Sequence, residues 1–109
     1  MPALTGKQKL AYGVRVSDVF KALADETRRI ILDELAARDE QTLFELCVRL
    51  SHHGLTPSRQ AVSQHLEVLE SAGLVHSERR GRYKFHTLDT RPLAQITARW
   101  PLTPEAGTP

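Results

Sequence analysis

The chain holds a single cysteine, Cys47, in 109 residues, and nowhere does it run to about 18 consecutive apolar residues. One cysteine excludes an internal disulfide framework and suits a reducing compartment. The missing apolar run excludes a spanning helix, so no membrane partner is expected. The first residues, MPALTGKQKLAYGV, lack the apolar stretch of a secretory signal, which points to a protein that stays in the cytoplasm. Charge of one sign is also scarce: 15 Lys plus Arg against 13 Asp plus Glu leave a net +2, too little to imply a polyanion partner unless the cations are concentrated somewhere. No nucleophile with a base, paired carboxylates or metal cage can be read, so neither an enzyme nor a bound cofactor is expected.

What is present is enough for one small domain, for which dimerisation is a common way to bury more surface. The reading places an N-terminal arm at 1–14, the domain at 15–100 and a disordered tail at 101–109, where PLTPEAGTP cannot continue a helix. Ser17 is expected to cap a helix with Val19, Phe20, Leu23 and Ala24 on one face. Asp25 caps a second helix carrying Ile30, Ile31 and Leu35. Thr42 with Glu45 forms a capping box that opens a third helix with Leu43, Leu46, Cys47 and Leu50 inward, closed by His52, His53 and Gly54. The fourth helix starts either at Ser58 as cap or at Thr56 with Pro57 at the first helical position, and Gly73 stops it. On its wheel Val62, Leu66, Leu69, Ala61, Ala72, Val68 and His65 share one side, while Arg59, Gln60, Ser63, Gln64 and Glu67 lie on the other.

LVHSERRGRYKFHTL alternates and pivots about Arg80 and Gly81, the pattern of a tight β-hairpin. A two-residue turn there would set Arg79 opposite Arg82, Ser77 opposite Lys84 and Val75 opposite His86. Leu74, His76, Glu78, Tyr83 and Phe85 then share the other side. Asp89 to Trp100 reads as a last helix with Leu93, Ile96 and Trp100 at helical spacing, an apolar stripe that suits a dimer interface.

About five helices, mainly α, with a two-stranded wing between the fourth helix and the last is the layout of a winged helix-turn-helix. A major groove admits one helix, whose exposed N-terminal half must carry groups that bond base edges; Arg, Gln and Ser do so and aliphatics do not. Four of the six residues from Arg79 to Lys84 are basic, so the cations are concentrated at the hairpin tip after all.

VFKALADETRRIILDEL followed by SRQAVSQHLEVLESAGLVHSERRGRYKFHTLD resembles the ArsR-type (ArsR/SmtB) family of small bacterial winged-helix repressors over Val19 to Leu88. The resemblance implies a cytoplasmic homodimer joined by its first and last helices, with repression relieved by an effector; a dimer presenting two such helices to double-stranded DNA would take an inverted repeat. Carried over by position, it implies DNA contacts from Ser58, Arg59, Gln60, Ser63, Gln64 and His65, with Arg79, Arg80 and Arg82 on the wing. The metal-sensing pattern is broken: ELCVRL puts Arg49 where a second thiolate would stand, and DTRPLAQITARW has no histidine. No metal is therefore expected at those positions, and the effector is not written in the sequence.

Duller readings stand beside these. His65 falls inside the apolar arc and reads equally as a structural histidine or a phosphate contact. His52 and His53 read as loop residues, Cys47 as core packing or a redox site. A winged helix can also serve as a protein-interaction adaptor with no DNA role, and the salt dependence of duplex binding separates the two.

Overall fold

The structure is a computed structural model that describes residues 16–104. In chain order it contains α1 (Val16–Leu23), α2 (Glu26–Ala37), α3 (Leu43–His52), α4 (Arg59–Ser71), β1 (Val75–Arg80), β2 (Tyr83–Leu88), a 3₁₀ turn (Arg91–Leu93) and α5 (Ala94–Arg99). The winged-helix expectation of five helices and a two-stranded antiparallel hairpin is met.

Local chemistry sets most helix ends. Asp25 caps α2 by accepting from the Arg28 amide at 3.1 Å. At α3 the box is complete: the Thr42 hydroxyl accepts from the Glu45 amide at 3.2 Å, and the Glu45 carboxylate accepts from the Thr42 amide at 2.9 Å. That Thr42 amide bond is also the main reason the Glu45 carboxyl sits below its ordinary range. Ser58, not Thr56, caps α4, accepting from the Ala61 amide at 3.0 Å. Gly73 ends α4 with a φ of 73°, which lets the Gly73 and Leu74 amides reach the carbonyls of Glu70 and Leu69 at 2.9 Å each. Ser17, by contrast, lies inside α1 and does not cap it. It has Phe20 three residues on, where a capping box would have Glu or Gln.

The core is Ile31 and Leu35 of α2, Leu46 and Leu50 of α3, and Val62, Leu66 and Leu69 of α4, closed by Leu74 and Val75. Burying one such side chain is worth about 1.5–3 kcal/mol, far more than one residue's helix propensity. Packing therefore fixes the rotation of α4, and with it the direction of its polar side.

The hairpin register corrects the sequence reading. Arg80 pairs with Tyr83, Arg79 with Lys84, Ser77 with His86 and Val75 with Leu88, so the turn is Gly81–Arg82 and not Arg80–Gly81. Gly81 has φ 63° and Arg82 is not among the positive-φ residues. A turn needing positive φ only at its first central residue fits that pair; centring it on Arg80 would have asked an arginine to take up the left-handed conformation as well. The expected faces survive, because a shift of two residues preserves the alternation.

A contact that the sequence reading did not anticipate anchors the wing. Gln41 forms an antiparallel bridge with His86, its amide donating to the His86 carbonyl at 3.1 Å and its carbonyl accepting from the His86 amide at 2.8 Å. The Gln41 side-chain amide caps the end of α2, donating to the carbonyls of Glu34 at 3.0 Å and Arg38 at 2.7 Å. The α2–α3 loop thus ties hairpin and helices together.

The last helix is shorter than the expected span of Asp89 to Trp100, because Asp89 is buried in a network instead of starting a helix. Its carboxylate accepts from the Arg91 amide at 3.0 Å, from Arg91 Nη2 at 2.6 Å and from His76 Nε2 at 2.7 Å. Residues 101–104 are exposed and lie in neither helix nor strand. The expected arm at 1–14 and the rest of the tail fall outside the described residues. Hydrogen bonds from Arg91 hold the Asp89 carboxyl well below the usual carboxylate range. A depressed folded-state value adds stability that is present above the unfolded value of about 3.9 and lost as pH falls below it. Asp89→Asn is expected to cost roughly 2 kcal/mol at pH 7 and to flatten the acid limb of stability. Urea midpoints of both proteins at pH 7 and pH 3 check this, and parallel losses would contradict it.

Candidate nucleic-acid interface

α3 and α4 with the turn between them form the helix-turn-helix, and the hairpin flanks α4. Arg59, Gln60, Ser63 and Gln64 are all exposed, on the side opposite Val62, Leu66 and Leu69, which are 0–3% exposed. The structure thus brings these four polar side chains together at the N-terminal half of one helix. The helix dipole there favours an anion such as a phosphate. Ser58 is also exposed, but a lone pair of its hydroxyl is committed to the cap. Its proton remains free to meet a phosphate, so a contact from Ser58 would come with its capping role.

His65 is placed differently from its neighbours. It is half-buried, and its Nδ1 lies 3.2 Å from Arg28 Nη1. A guanidinium only donates, so Nδ1 accepts and the ring carries its proton on Nε2. Arg28 also donates to the carbonyls of Ala22 at 2.9 Å and Lys21 at 3.0 Å, capping the end of α1. His65 therefore ties α4 to the α1–α2 corner.

The wing arginines also separate. Arg80 is tied down: Nη2 lies 2.6 Å from Glu40, Nε lies 3.1 Å from Glu78, and the guanidinium stands 4.2 Å over the Phe85 ring. Glu40, whose φ is 58°, brings its carboxylate to the hairpin from the α2–α3 loop. Arg79 and Arg82 are exposed and make no ion pair among the described residues. Lys84 is exposed beside them and carries the same charge, though the sequence reading counted it only in the basic tip.

Of the residues expected at a dimer interface, Leu93 packs against the core, Ile96 is half-buried and Trp100 is 54% exposed. The Trp100 ring meets Phe20 of α1 at a centroid distance of 5.9 Å. With Phe20 38% exposed, the two rings form an apolar patch drawn from both ends of the described chain, and Leu102, two residues beyond Trp100, is 82% exposed. Cys47 is half-buried, and burial pushes its thiol pKa up. Arg49 lies 3.8 Å from Glu34.

Comparison with known proteins follows the same lines. Residues 23–78 match the model of a helix-turn-helix domain. The chain is 49% identical to YuzN, an uncharacterised HTH-type transcriptional regulator of Bacillus subtilis, over 75% of this chain and 90% of that one. It is 33% identical to the transcriptional repressor SdpR of the same organism, over 80% of this chain and 89% of the relative. Among solved structures it is similar to the homodimeric winged helix-turn-helix DNA-binding domain of Mb0332 from Mycobacterium bovis, a possible ArsR-family transcriptional regulator. That likeness has 28% identity and a TM-score of 0.59 over 94% of each chain.

Proposed function

This chain belongs to the ArsR-type family of winged helix-turn-helix transcriptional regulators, and on that basis we propose that it is a homodimeric repressor of the cytoplasm that binds an inverted-repeat operator. The observation that carries this reading is the polar N-terminal half of α4. Arg59, Gln60, Ser63 and Gln64 stand exposed on a helix whose opposite side buries Val62, Leu66 and Leu69, with unpaired wing cations nearby. In this reading α4 enters the major groove and those side chains bond base edges. Arg79, Arg82 and Lys84 hold phosphates or a narrow minor groove, and Ser58 adds a phosphate contact. His65 and Arg80 act by holding the reading elements in place.

The exposed apolar pair of Phe20 and Trp100 supports the homodimer, as does the homodimeric relative. The repressor relative supports the sign of regulation. Nothing in the site asks for catalysis, and the family is one of regulators, not enzymes.

Titrating duplex affinity against salt tests the proposal. The logarithm of the binding constant should fall linearly with the logarithm of salt, and a flat response would favour the adaptor. Removing Arg79 and Arg82 together should lower the slope by about 0.9 for each phosphate no longer neutralised, weakening operator and random DNA alike. Arg80→Ala should change the slope less, since its charge already faces Glu40 and Glu78. Equal slope changes for Arg80→Ala and Arg82→Ala would contradict this division of roles.

A further inference from the structure

A groove of about 580 Å³ runs between the start of α3, the outer side of α4 and the hairpin. That volume is within the range that takes a small molecule. Two exposed rings, Phe44 of α3 (63% exposed) and Tyr83 of β2 (58%), line it. Aromatic surface left in water beside a built concavity is surface that a flat ligand can cover.

The polar lining is specific. Arg59, Arg82 and Lys84 contribute three cations and Glu67 and Glu70 two carboxylates, so the groove is left one positive charge in excess. Glu70 is partly satisfied already, accepting from the Ser77 hydroxyl at 2.7 Å. His86 also lines the groove, although it is only 3% exposed. Its Nδ1 lies 3.0 Å from the Gln41 carbonyl, which can only accept, so Nδ1 carries the proton and Nε2 keeps a lone pair. That Nε2 has no hydrogen-bond partner among the described residues. Burial lowers the His86 pKa, which keeps the ring neutral and Nε2 an acceptor. Nε2 is not among the fully buried unpartnered atoms, so it opens onto the groove, where a ligand that donates to it can take the place of water.

We propose that this groove binds a planar aromatic monoanion carrying one hydrogen-bond donor, a small molecule that competes with DNA. The rings take its flat face, the cations its charge, and His86 Nε2 accepts from its donor. Competition follows because the groove includes Arg59, Ser63 and Arg82, three of the residues proposed to touch DNA, and this regulatory part rests on the function proposed above.

Indole-3-carboxylate supplies the ring, the charge and the donor, and is the probe. Titrated into the ¹⁵N-labelled protein without DNA, it should give saturable amide shifts at Ser63, Tyr83, Lys84 and His86. 1-Methylindole-3-carboxylate lacks the donor and indole lacks the charge, and each should bind about tenfold more weakly. Tyr83→Ala, at an exposed ring, should weaken the probe while the protein stays folded. Shifts confined to the Phe20 and Trp100 patch, or equal affinity for all three compounds, would overturn the site. In a second arm the probe should raise the apparent Kd for a bound duplex in step with its occupancy. An unchanged duplex affinity at saturating probe would overturn the competition. A duplex that fails to bind even without probe would sink the DNA reading instead, and the titration would still decide the ligand site.

Discussion

A Phe20→Asp, Trp100→Asp variant is expected to run as a folded monomer and to bind an operator duplex at least about 100-fold more weakly than the parent chain. The loss would come from avidity: linking two binding faces gains about 10²–10⁴ over either alone, and a monomer presents one. Both rings stand outside the buried core, with Phe20 at 38% and Trp100 at 54% exposure, and their main aromatic contact is with each other at 5.9 Å. Removing them should therefore leave the packing of α2, α3 and α4 intact. Aspartate in both positions sets like charges face to face across a symmetric interface, where each residue meets a copy of its own patch. Light scattering with circular dichroism checks the outcome. A folded double variant that keeps the dimeric mass would rule out this patch as the interface.

Much of this architecture was legible in the residues, and the exceptions share a cause. Apolar spacing located the four front helices, and the Thr42–Glu45 box, Asp25 and Gly73 gave their ends because capping depends on neighbours within a few residues. The wheel of α4 placed Arg59, Gln60, Ser63 and Gln64 outward because burial of Val62, Leu66 and Leu69 fixes its rotation. What the residues did not reveal depends on partners far along the chain. Arg80 looks like any wing cation until Glu40 arrives from the α2–α3 loop. The Gln41 bridge to His86 spans 45 positions, and the groove needs Phe44 and Tyr83 brought together from separate elements. His76 meets Asp89 across the hairpin, which turns an expected helix start into a buried acceptor. The hairpin turn slipped by one residue because alternation fixes faces and leaves the pairing to the turn itself.

The polar side of α4, proposed to read bases, carries the second large effect. A bidentate arginine–guanine or glutamine–adenine pair is worth about 1–3 kcal/mol of discrimination, and a symmetric dimer makes every pair twice. Replacing Gln60 and Gln64 together with alanine is therefore expected to reduce the preference for operator over random DNA by about 100-fold or more. Affinity for random DNA should stay within a few-fold, since the wing cations and Ser58 are untouched. Both glutamines are exposed and their side chains make no hydrogen bond among the described residues, and alanine is a good helix former, so α4 should hold its place. Equal losses on operator and random DNA would mean that the glutamines hold the backbone and do not read bases.

Selection of bound duplexes from a random pool, run in parallel with the parent chain and the Gln60→Ala, Gln64→Ala variant, tests the central claim most directly. The parent should enrich an inverted repeat with half-sites about one helical turn apart, and the variant should lose preference at symmetric positions within each half-site. A parent chain that enriches no sequence, or a variant that enriches the same repeat with the same base preferences, would contradict the assignment of α4 as the element that reads DNA.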